Sequence, residues 1–175
     1  MKKIAVIFAN GTEEIEALTP VDVLRRAEAD CDIVSVSGEY PTGSHGITIK
    51  ADRLIEEVVV DDYDCVVIPG GMPGAVNISS NFSAMLFIKK MVQSGKVVAS
   101  ICASPAVVLA RHDLLNGKKA TCFPAEDFIT AVKFDGEYTG ADVENDGNLV
   151  TANGPKSAME FSFAICDALG ITPKI

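Results

Sequence analysis

Residues 3–29 read KIAVIFANGTEEIEALTPVDVLRRAEA, and this stretch contains the two patterns that decide the fold. Its first part, residues 3–9, is a continuous apolar run with β-branched residues, which is typical of a strand buried inside a parallel sheet. After a turn, residues 13–29 show the apolar spacing of a helix. Asn10 and Glu13 have the spacing of a capping box, which makes Asn10 a candidate N-cap. A buried strand followed directly by a helix is the repeating unit of an α/β protein.

The alternation of strand and helix continues along the rest of the chain. Further strands are predicted at residues 31–37, 64–69, 96–101, 118–123 and 148–152, further helices at 82–93, from 105 onward and at 157–169, and a short alternating stretch at 47–50. This order implies a mainly parallel sheet with helices on both faces, joined by right-handed crossovers. The length of 175 residues suits one domain, and no repeat or linker interrupts the pattern. We therefore predict a single domain over residues 1–175, built as a three-layer α/β sandwich.

The composition excludes several classes of protein. Apolar residues make up 48% and charged residues 22% of the chain, which is close to globular averages and unlike a disordered chain. No apolar run approaches the roughly 18 residues that cross a bilayer, so we expect a cytoplasmic protein without membrane contact. The net charge of -9 repels phosphate backbones, and the basic pairs are scattered, so direct nucleic-acid binding is not expected.

The chain contains five cysteines and two histidines. An odd number of cysteines argues against a disulfide framework, and no two of them have the close spacing of a zinc site. With so few histidines, we predict neither a bound metal nor a cofactor. The question that these counts raise is whether any of the cysteines is more than a small core residue.

One cysteine occupies a position that is typical of a nucleophile. Residues 97–106 read VVASICASPA, so a buried strand runs into a helix with Cys102 at the junction. Small residues stand two positions before and after it, Ser100 and Ser104, as in a nucleophile elbow, and Pro105 suits the first turn of a helix. We expect the helix N-terminus to lower the pKa of the thiol. The alternative is that Cys102 is a small buried hydrophobic residue.

Two further segments follow predicted strands in a way that suits this chemistry. Gly70 and Gly71 come directly after a strand, and we expect them to line the site, with an N–H that forms an oxyanion hole together with the N–H of Ala103. Glu16 shares a helix stripe with apolar residues, so burial is expected to raise its pKa and to suit it for acid–base chemistry. A glutamate at the edge of a solvated face fits the same pattern equally well, and paired glycines often form only a turn.

The other four cysteines divide into two groups. Cys31 and Cys65 lie in apolar strand segments and Cys166 lies in the last predicted helix, so we interpret all three as core residues. Cys122 ends a predicted strand just before Phe123, and we expect it to line the cleft at the strand ends. Whether Cys122 is a second redox-sensitive thiol stays open.

Taken together, five segments resemble the ThiJ/PfpI superfamily over nearly the whole chain, closest to its DJ-1 branch. They are residues 13–16 (EEIE), 20–26 (PVDVLRR), 69–71 (PGG), 101–103 (ICA) and 154–155 (GP). The resemblance implies a flavodoxin-like α/β fold and usually a homodimer that packs partly through the first helix. Asp22 and Arg26 match positions near the dimer interface of that family.

The resemblance also implies roles for individual residues of the site. It makes Cys102 the reactive cysteine and Glu16 its carboxylic partner. It assigns the two backbone N–H groups of the oxyanion hole to Gly71 and Ala103. These assignments agree with the chemistry that the residue types and their positions suggest on their own.

The chain departs from related proteins at histidine positions. Ala103 stands where the protease-like branch has a histidine, and no histidine follows His112, although amidotransferases use one well downstream. We therefore expect neither peptidase nor amidotransferase activity. Phe123 stands where DJ-1-like proteins often have a histidine, and His45 stands where relatives often have arginine. We expect both residues to line the site, which they make less polar.

Three functions agree with these residues. The preferred interpretation is an enzyme that acts on reactive carbonyls, such as methylglyoxal or its early adducts with proteins or nucleotides, in the manner of a glyoxalase or deglycase. The Cys102 thiolate attacks the carbonyl, backbone N–H groups hold the oxyanion, and Glu16 moves protons. The alternative is an oxidative-stress sensor or chaperone in which Cys102 oxidises to a sulfinate without turnover. The third is a module that binds a small ligand in the cleft.

Overall fold

A computed structural model describes all 175 residues. The strands are β1 (Lys3–Phe8), β2 (Asp30–Ser35), β3 (Arg53–Leu54), β4 (Cys65–Ile68), β5 (Val97–Ile101), β6 (Lys119–Ala120), β7 (Glu137–Tyr138), β8 (Val143–Asp146) and β9 (Leu149–Ala152). The α-helices are α1 (Glu14–Arg26), α2 (Gly74–Ser79), α3 (Phe82–Gln93), α4 (Glu126–Asp135) and α5 (Ala158–Leu169). The longest helix, α1, has 13 residues, and no helix is long and apolar enough to cross a bilayer.

Seven of the strands form one mixed sheet in the order β3-β2-β1-β4-β5-β9-β8. Every neighbouring pair is parallel except β8 and β9, which are antiparallel. The five central strands, β2-β1-β4-β5-β9, follow the connection order that defines the flavodoxin-like fold. The predicted fold class, a flavodoxin-like α/β sandwich with a mainly parallel sheet, is confirmed.

Helices cover both faces of the sheet because the central strands are apolar on both sides. Successive side chains of a strand point to opposite faces. Val6 of β1 therefore lies in a core cluster with Leu24 of α1 and Phe161 of α5, whereas Ile7 lies in a second cluster with Ile88 of α3 and Val132 of α4. Each of these buried side chains contributes roughly 1.5–3 kcal/mol relative to an exposed position. The two clusters hold the sheet between its helical layers.

One predicted strand and the alternating stretch at residues 47–50 differ from the observed strands. The strand predicted at residues 118–123 is reduced to the two residues of β6, which pair with β7 in a separate small sheet. Residues 47–50 form no strand, and this region contributes only a bridge between Thr42 and Thr48. Both segments lie outside the main sheet. They are not flanked by a strand on each side, so a longer strand there would leave backbone groups without hydrogen-bond partners in a sheet.

The helical segment after Cys102 also differs from the expectation of a regular helix. It begins as a π-helical turn, Pro105–Leu109, and ends in a 3₁₀ turn, Ala110–His112. The predictions omitted α2, α4 and the short strands β3, β7 and β8. In α4 a signal was present, because Phe128, Ile129 and Val132 have the spacing of one helix face.

Candidate active site

The carboxyl ends of β1, β4 and β5 meet at the centre of the sheet and carry the candidate site. β1 leads into α1, which carries Glu16, whereas β4 is followed by Gly70 and Gly71 and β5 by Cys102. Because the connections from β1 and β4 leave in opposite directions, the two strands flank the topological switch point of the fold. Ligands of open α/β sheets bind outside the strand ends at such a point.

Cys102 lies in the tight turn between β5 and the helical segment that begins at Pro105. Its backbone φ is 65°, in the left-handed region that residues other than glycine rarely adopt. Two backbone hydrogen bonds hold the turn: Cys102 N donates to Ala152 O at 2.9 Å, and Phe123 N donates to Cys102 O at 2.8 Å. This strained turn has the geometry of a nucleophile elbow. It leaves the thiol partly exposed, whereas the other four cysteines are buried.

The Glu16 carboxyl lies next to the Cys102 side chain inside the protein. Glu16 is completely buried, and its Oε1 accepts a hydrogen bond of 3.0 Å from Gly70 N. The other oxygen, Oε2, has no hydrogen-bond partner. A Cβ added at Gly70 would lie 2.7 Å from both Cys102 Cβ and Glu16 Oε1. The missing side chain at position 70 therefore allows the thiol and the carboxyl to come together.

Burial dominates the ionisation of both groups. It raises the pKa of Glu16 from 4.5 to about 7; the Cys102 thiol and Gly70 N–H oppose this shift, and the charge of Glu13 adds to it. Burial also raises the pKa of the Cys102 thiol, and the neighbouring Glu16 carboxylate raises it further. Two groups that interact this closely titrate as a pair. The pair therefore loses its first proton near pH 7 and keeps the second one well above neutral pH.

The backbone N–H groups of Ala103 and Gly71 both lower the pKa of the Cys102 thiol. Gly71 has a φ of 89°, and a Cβ at this position would lie 2.4 Å from Glu13 N, so a side chain cannot be accommodated without displacing the start of α1. Two backbone N–H groups that both act on one reactive side chain suit the formation of an oxyanion hole. The predicted residues Cys102, Glu16, Gly71 and Ala103 are thus brought together.

The expectation that the following helix lowers the pKa of the thiol is wrong in its net direction. The N–H groups of Ala103 and Gly71 do lower this pKa, but burial and the Glu16 carboxylate outweigh them. The segment after Cys102 is a five-residue π-helical turn, which offers a weaker dipole than a long α-helix. Formation of the thiolate near neutral pH therefore depends on transfer of the thiol proton to Glu16.

A surface cleft of about 340 Å³ adjoins the elbow. It is lined by Phe123, Pro124, Asn153, Gly154, Pro155 and Lys156. Phe123 is 43% exposed, and its ring packs beside Gly154. Phe123 is next to the elbow through its backbone N–H, which donates to Cys102 O; its role in lining the site stays a prediction. Lys156, which the sequence patterns did not single out, adds one exposed cation to a mainly apolar wall.

His45 lies on a surface loop above the start of α1, and no hydrogen bond joins it to Cys102. Its backbone N–H and its Nδ1 contact the two oxygens of Glu14 at 2.8 and 2.9 Å, and this hydrogen bond raises the pKa of His45. Glu13, Glu14 and His45 place donor atoms within 4.8 Å of one another, a spacing that suits a metal ion. Both Glu14 oxygens already accept hydrogen bonds from the loop, so we assign this cluster to anchoring the loop.

The remaining predicted residues lie away from the thiol–carboxyl pair. Cys122 is completely buried in the core, because the strand before it ends at Ala120 and the side chain packs inward; burial raises its pKa to about 11. The structure therefore does not bring Cys122 to the cleft. Asp22 and Arg26 lie on the exposed side of α1, where an ion pair of 3.1 Å joins them. The other three cysteines are core residues, as predicted.

The sequence patterns missed one residue that contacts the pair, Glu13. This residue is the N-cap of α1 in place of Asn10, and its Oε2 accepts a hydrogen bond of 3.0 Å from Glu16 N. Asn10 instead accepts a hydrogen bond from Thr42 N. The signal in the sequence was the acidic run at the start of α1, because carboxylates are favoured at a helix N-terminus.

Comparisons with known proteins place the chain among proteins of the same architecture. A family model described as "DJ-1/PfpI family" matches residues 2–168. Protein DJ-1 homolog B of Arabidopsis thaliana is 38% identical over 166 residues, which cover 94% of this chain and 37% of that protein. The chain therefore spans little more than a third of that relative. A protein of Pyrococcus abyssi named as a deglycase is 32% identical over 156 residues, covering 87% of this chain and 90% of that protein.

The solved structures include one with a similar fold and a similar sequence. Oxidized DJ-1 of Toxoplasma gondii superposes with a TM-score of 0.89 and is 40% identical, covering 97% of this chain and 91% of that chain. The residues matched by the family model, 2–168, include all the elements that position the candidate site.

Proposed function

The chain belongs to the DJ-1/PfpI family, and from this premise we propose that it is an enzyme that converts small α-oxoaldehydes such as methylglyoxal into 2-hydroxy acids. The observation that carries the proposal is the buried Glu16 carboxyl beside the Cys102 thiol, with a pKa raised by burial to about 7. A proton acceptor with a pKa near the working pH is the most effective general base. The pair thus combines a nucleophile with the group that activates it.

The first half of the reaction joins the aldehyde to the sulfur. The thiol proton of Cys102 passes to the Glu16 carboxylate, the sulfur bonds to the aldehyde carbon, and the carbonyl π electrons move onto oxygen. The N–H groups of Gly71 and Ala103, which both lower the pKa of the thiol, hold the oxyanion. Glu16 then returns the proton to this oxygen, which yields a neutral hemithioacetal and an ionised carboxylate.

The second half moves one hydrogen and releases the product. The Glu16 carboxylate removes the hydrogen from the carbon bonded to sulfur and delivers it to the neighbouring carbon, while the hydroxyl proton moves to the neighbouring oxygen. The result is a thioester of a 2-hydroxy acid. Water then attacks the thioester carbonyl, the carbon–sulfur bond breaks, and the sulfur recovers a proton. The net reaction consumes one water molecule for each aldehyde.

Incubation of the purified chain with methylglyoxal tests this proposal. We expect the aldehyde to disappear and lactate to accumulate in equal amounts, with a rate that rises with pH through about 7, because the base form of Glu16 forms there. In deuterated water, nuclear magnetic resonance distinguishes a hydrogen that Glu16 carries between the two carbons from deuterium taken up from the solvent. If methylglyoxal is consumed without formation of lactate, the chain does not carry out the proposed conversion.

The cleft beside Phe123 supports a wider substrate range that includes adducts. Its volume of about 340 Å³ exceeds what a three-carbon aldehyde requires, and the relative from Pyrococcus abyssi is named as a deglycase. We propose that an adduct carried by a protein or nucleotide places its carrier in this cleft while its carbonyl carbon reaches Cys102. The apolar ring of Phe123 forms one wall for the carrier.

An oxidative-stress sensor without turnover is the second candidate function, and the partial exposure of Cys102 alone among the cysteines favours it. Each of two peroxide molecules transfers one oxygen to the thiolate and leaves as water, which converts the thiol to a sulfinate. We expect mild peroxide to add two oxygens at Cys102 and none at the four buried thiols. Intact-mass measurement followed by peptide mapping checks this result. Oxidation spread over several cysteines would contradict it.

We also propose that the chain forms a homodimer through the exposed side of α1, where Asp22 and Arg26 form an ion pair and Ile15 is 53% exposed. Arg26→Glu places like charges four residues apart on this surface and is expected to weaken the dimer roughly tenfold or more. Analytical ultracentrifugation measures the dissociation constant. Lys90→Glu, on α3 at the opposite face of the sheet, is the matched control and should leave the dimer intact. A native chain that sediments as a monomer would refute the proposal.

A further inference from the structure

Three hydrogen bonds form a closed ring around the start of α1. Glu13 N donates to Gly70 O at 3.1 Å, Gly70 N donates to Glu16 Oε1 at 3.0 Å, and Glu16 N donates to Glu13 Oε2 at 3.0 Å. The ring therefore joins the first turn of α1 to the loop after β4. It fixes the Glu16 side chain at one end and the backbone of Gly70 at the other.

Glu13 is an unusual choice for the cap that closes this ring. Serine, threonine, aspartate and asparagine are the preferred N-cap residues because their short side chains reach the N–H groups of the first turn. A serine would cap the helix without a second negative charge beside Glu16. The Glu13 carboxylate is instead buried, with 8% of the residue exposed, and after burial it is the other influence that raises the pKa of Glu16.

The charged and titratable groups around Glu13 and Glu16 are few. Glu16 is influenced by Cys102 and by Glu13. Glu13 has Glu14 beside it on the same helix, and His45 from the overlying loop, whose Nδ1 lies 3.5 Å from Glu13 Oε1. His45 is mostly exposed and binds Glu14 more closely than Glu13. Glu13 is therefore the one acidic residue besides the pair itself that acts on the proton of Glu16.

We propose that Glu13 is a positioning residue for the Cys102–Glu16 pair, holding the Glu16 backbone through its side chain while its negative charge retains the shared proton on Glu16. This inference rests on the proposed function for its relevance to catalysis. The effect of Glu13 on the proton of the pair can be measured without turnover. Removal of the charge should lower the pH at which the pair loses its first proton, whereas removal of the cap alone should not.

The rate at which iodoacetamide alkylates Cys102, followed by mass spectrometry from about pH 5 to about pH 9, reports this proton loss. In the native chain the rate should rise with a midpoint near pH 7. Glu13→Gln keeps an oxygen that accepts from Glu16 N but removes the charge, so its midpoint should fall by roughly 0.5–1 pH unit. Glu13→Ser, a preferred N-cap without charge, should show the same fall and serves if the glutamine variant does not fold.

Two control variants separate the effect of the Glu13 charge from its role as a helix cap and from the effect of any nearby charge. Glu13→Asp keeps both the cap and the charge, so its midpoint should stay close to that of the native chain. Glu14→Gln removes the charge of a similarly buried carboxylate one residue away that does not shift the pKa of Glu16, and its midpoint should also stay close to that of the native chain. An unchanged midpoint in Glu13→Gln, or an equal fall in Glu14→Gln, would overturn the proposal. A fall confined to position 13 in a chain without methylglyoxal turnover would reject the proposed function but support the role of Glu13.

Discussion

Replacement of Cys102 by serine is expected to reduce methylglyoxal turnover by roughly 10³-fold or more. A serine hydroxyl is a far weaker nucleophile than a thiolate, and Glu16, with a pKa raised by burial to about 7, is too weak a base to ionise it. The substitution removes no apolar packing of consequence, because the side chains are similar in size. We therefore expect the free energy of unfolding to change by only about 1 kcal/mol or less.

The measurement is the initial rate of lactate formation, with urea denaturation of the same preparations as a check on folding. Cys166→Ala is the matched control, because this cysteine is buried in α5 away from the strand ends; it should retain the native rate. Full turnover by the Cys102→Ser variant would exclude covalent catalysis by this residue. It would also leave the oxidation of Cys102 as the reason for its exposed position.

Replacement of Glu16 by glutamine is expected to act in opposite directions on stability and on activity. In the folded chain burial raises the pKa of Glu16 from 4.5 to about 7, so between these values the folded state binds more protons than the unfolded state. The free energy of unfolding of the native chain therefore falls as the pH rises through this window, by roughly 3 kcal/mol in total. Glutamine stays neutral and can still accept the hydrogen bond from Gly70 N, so the free energy of unfolding of the variant should not fall in this window.

The variant should thus be more stable than the native chain above pH 7, and the difference should shrink as the pH approaches 4.5. Turnover should fall by roughly 10²–10⁴-fold, the usual contribution of a general acid–base group. Urea denaturation at several pH values and the lactate assay provide the two readouts. A variant that is no more stable than the native chain at the higher pH would show that Glu16 is not held in its neutral form by the fold.

The central strands of the fold were predictable because burial on both faces leaves a continuous apolar run. Residues 64–69 and 96–101 carried this signal and contain β4 and β5. β8 was missed because it lies at the edge of the sheet, and its sequence VEND is mostly polar and contains no apolar run. Short edge strands depend on a neighbour for their definition, and their own residues carry little of that information.

The parts of the site that depend on local sequence were also predictable. Cys102 stands in a strand–turn–helix signature, and Gly71 follows directly from a strand, so both could be placed from a few neighbouring residues. The contact between Glu13 and Gly70 joins two segments far apart in the chain, and no local pattern encodes it. The net direction of the Cys102 pKa shift could not be predicted from local sequence either, because it depends on burial and on a carboxyl supplied by a different element.

The distribution of the cysteines has a consequence for how the folded state can be monitored. The folded chain presents one partly exposed thiol and hides four, whereas an unfolded chain exposes all five. The number of alkylated thiols per molecule therefore distinguishes folded from unfolded molecules in the same sample. It also means that chemical damage at the hidden thiols records an earlier opening of the structure, because a closed molecule reacts at one sulfur.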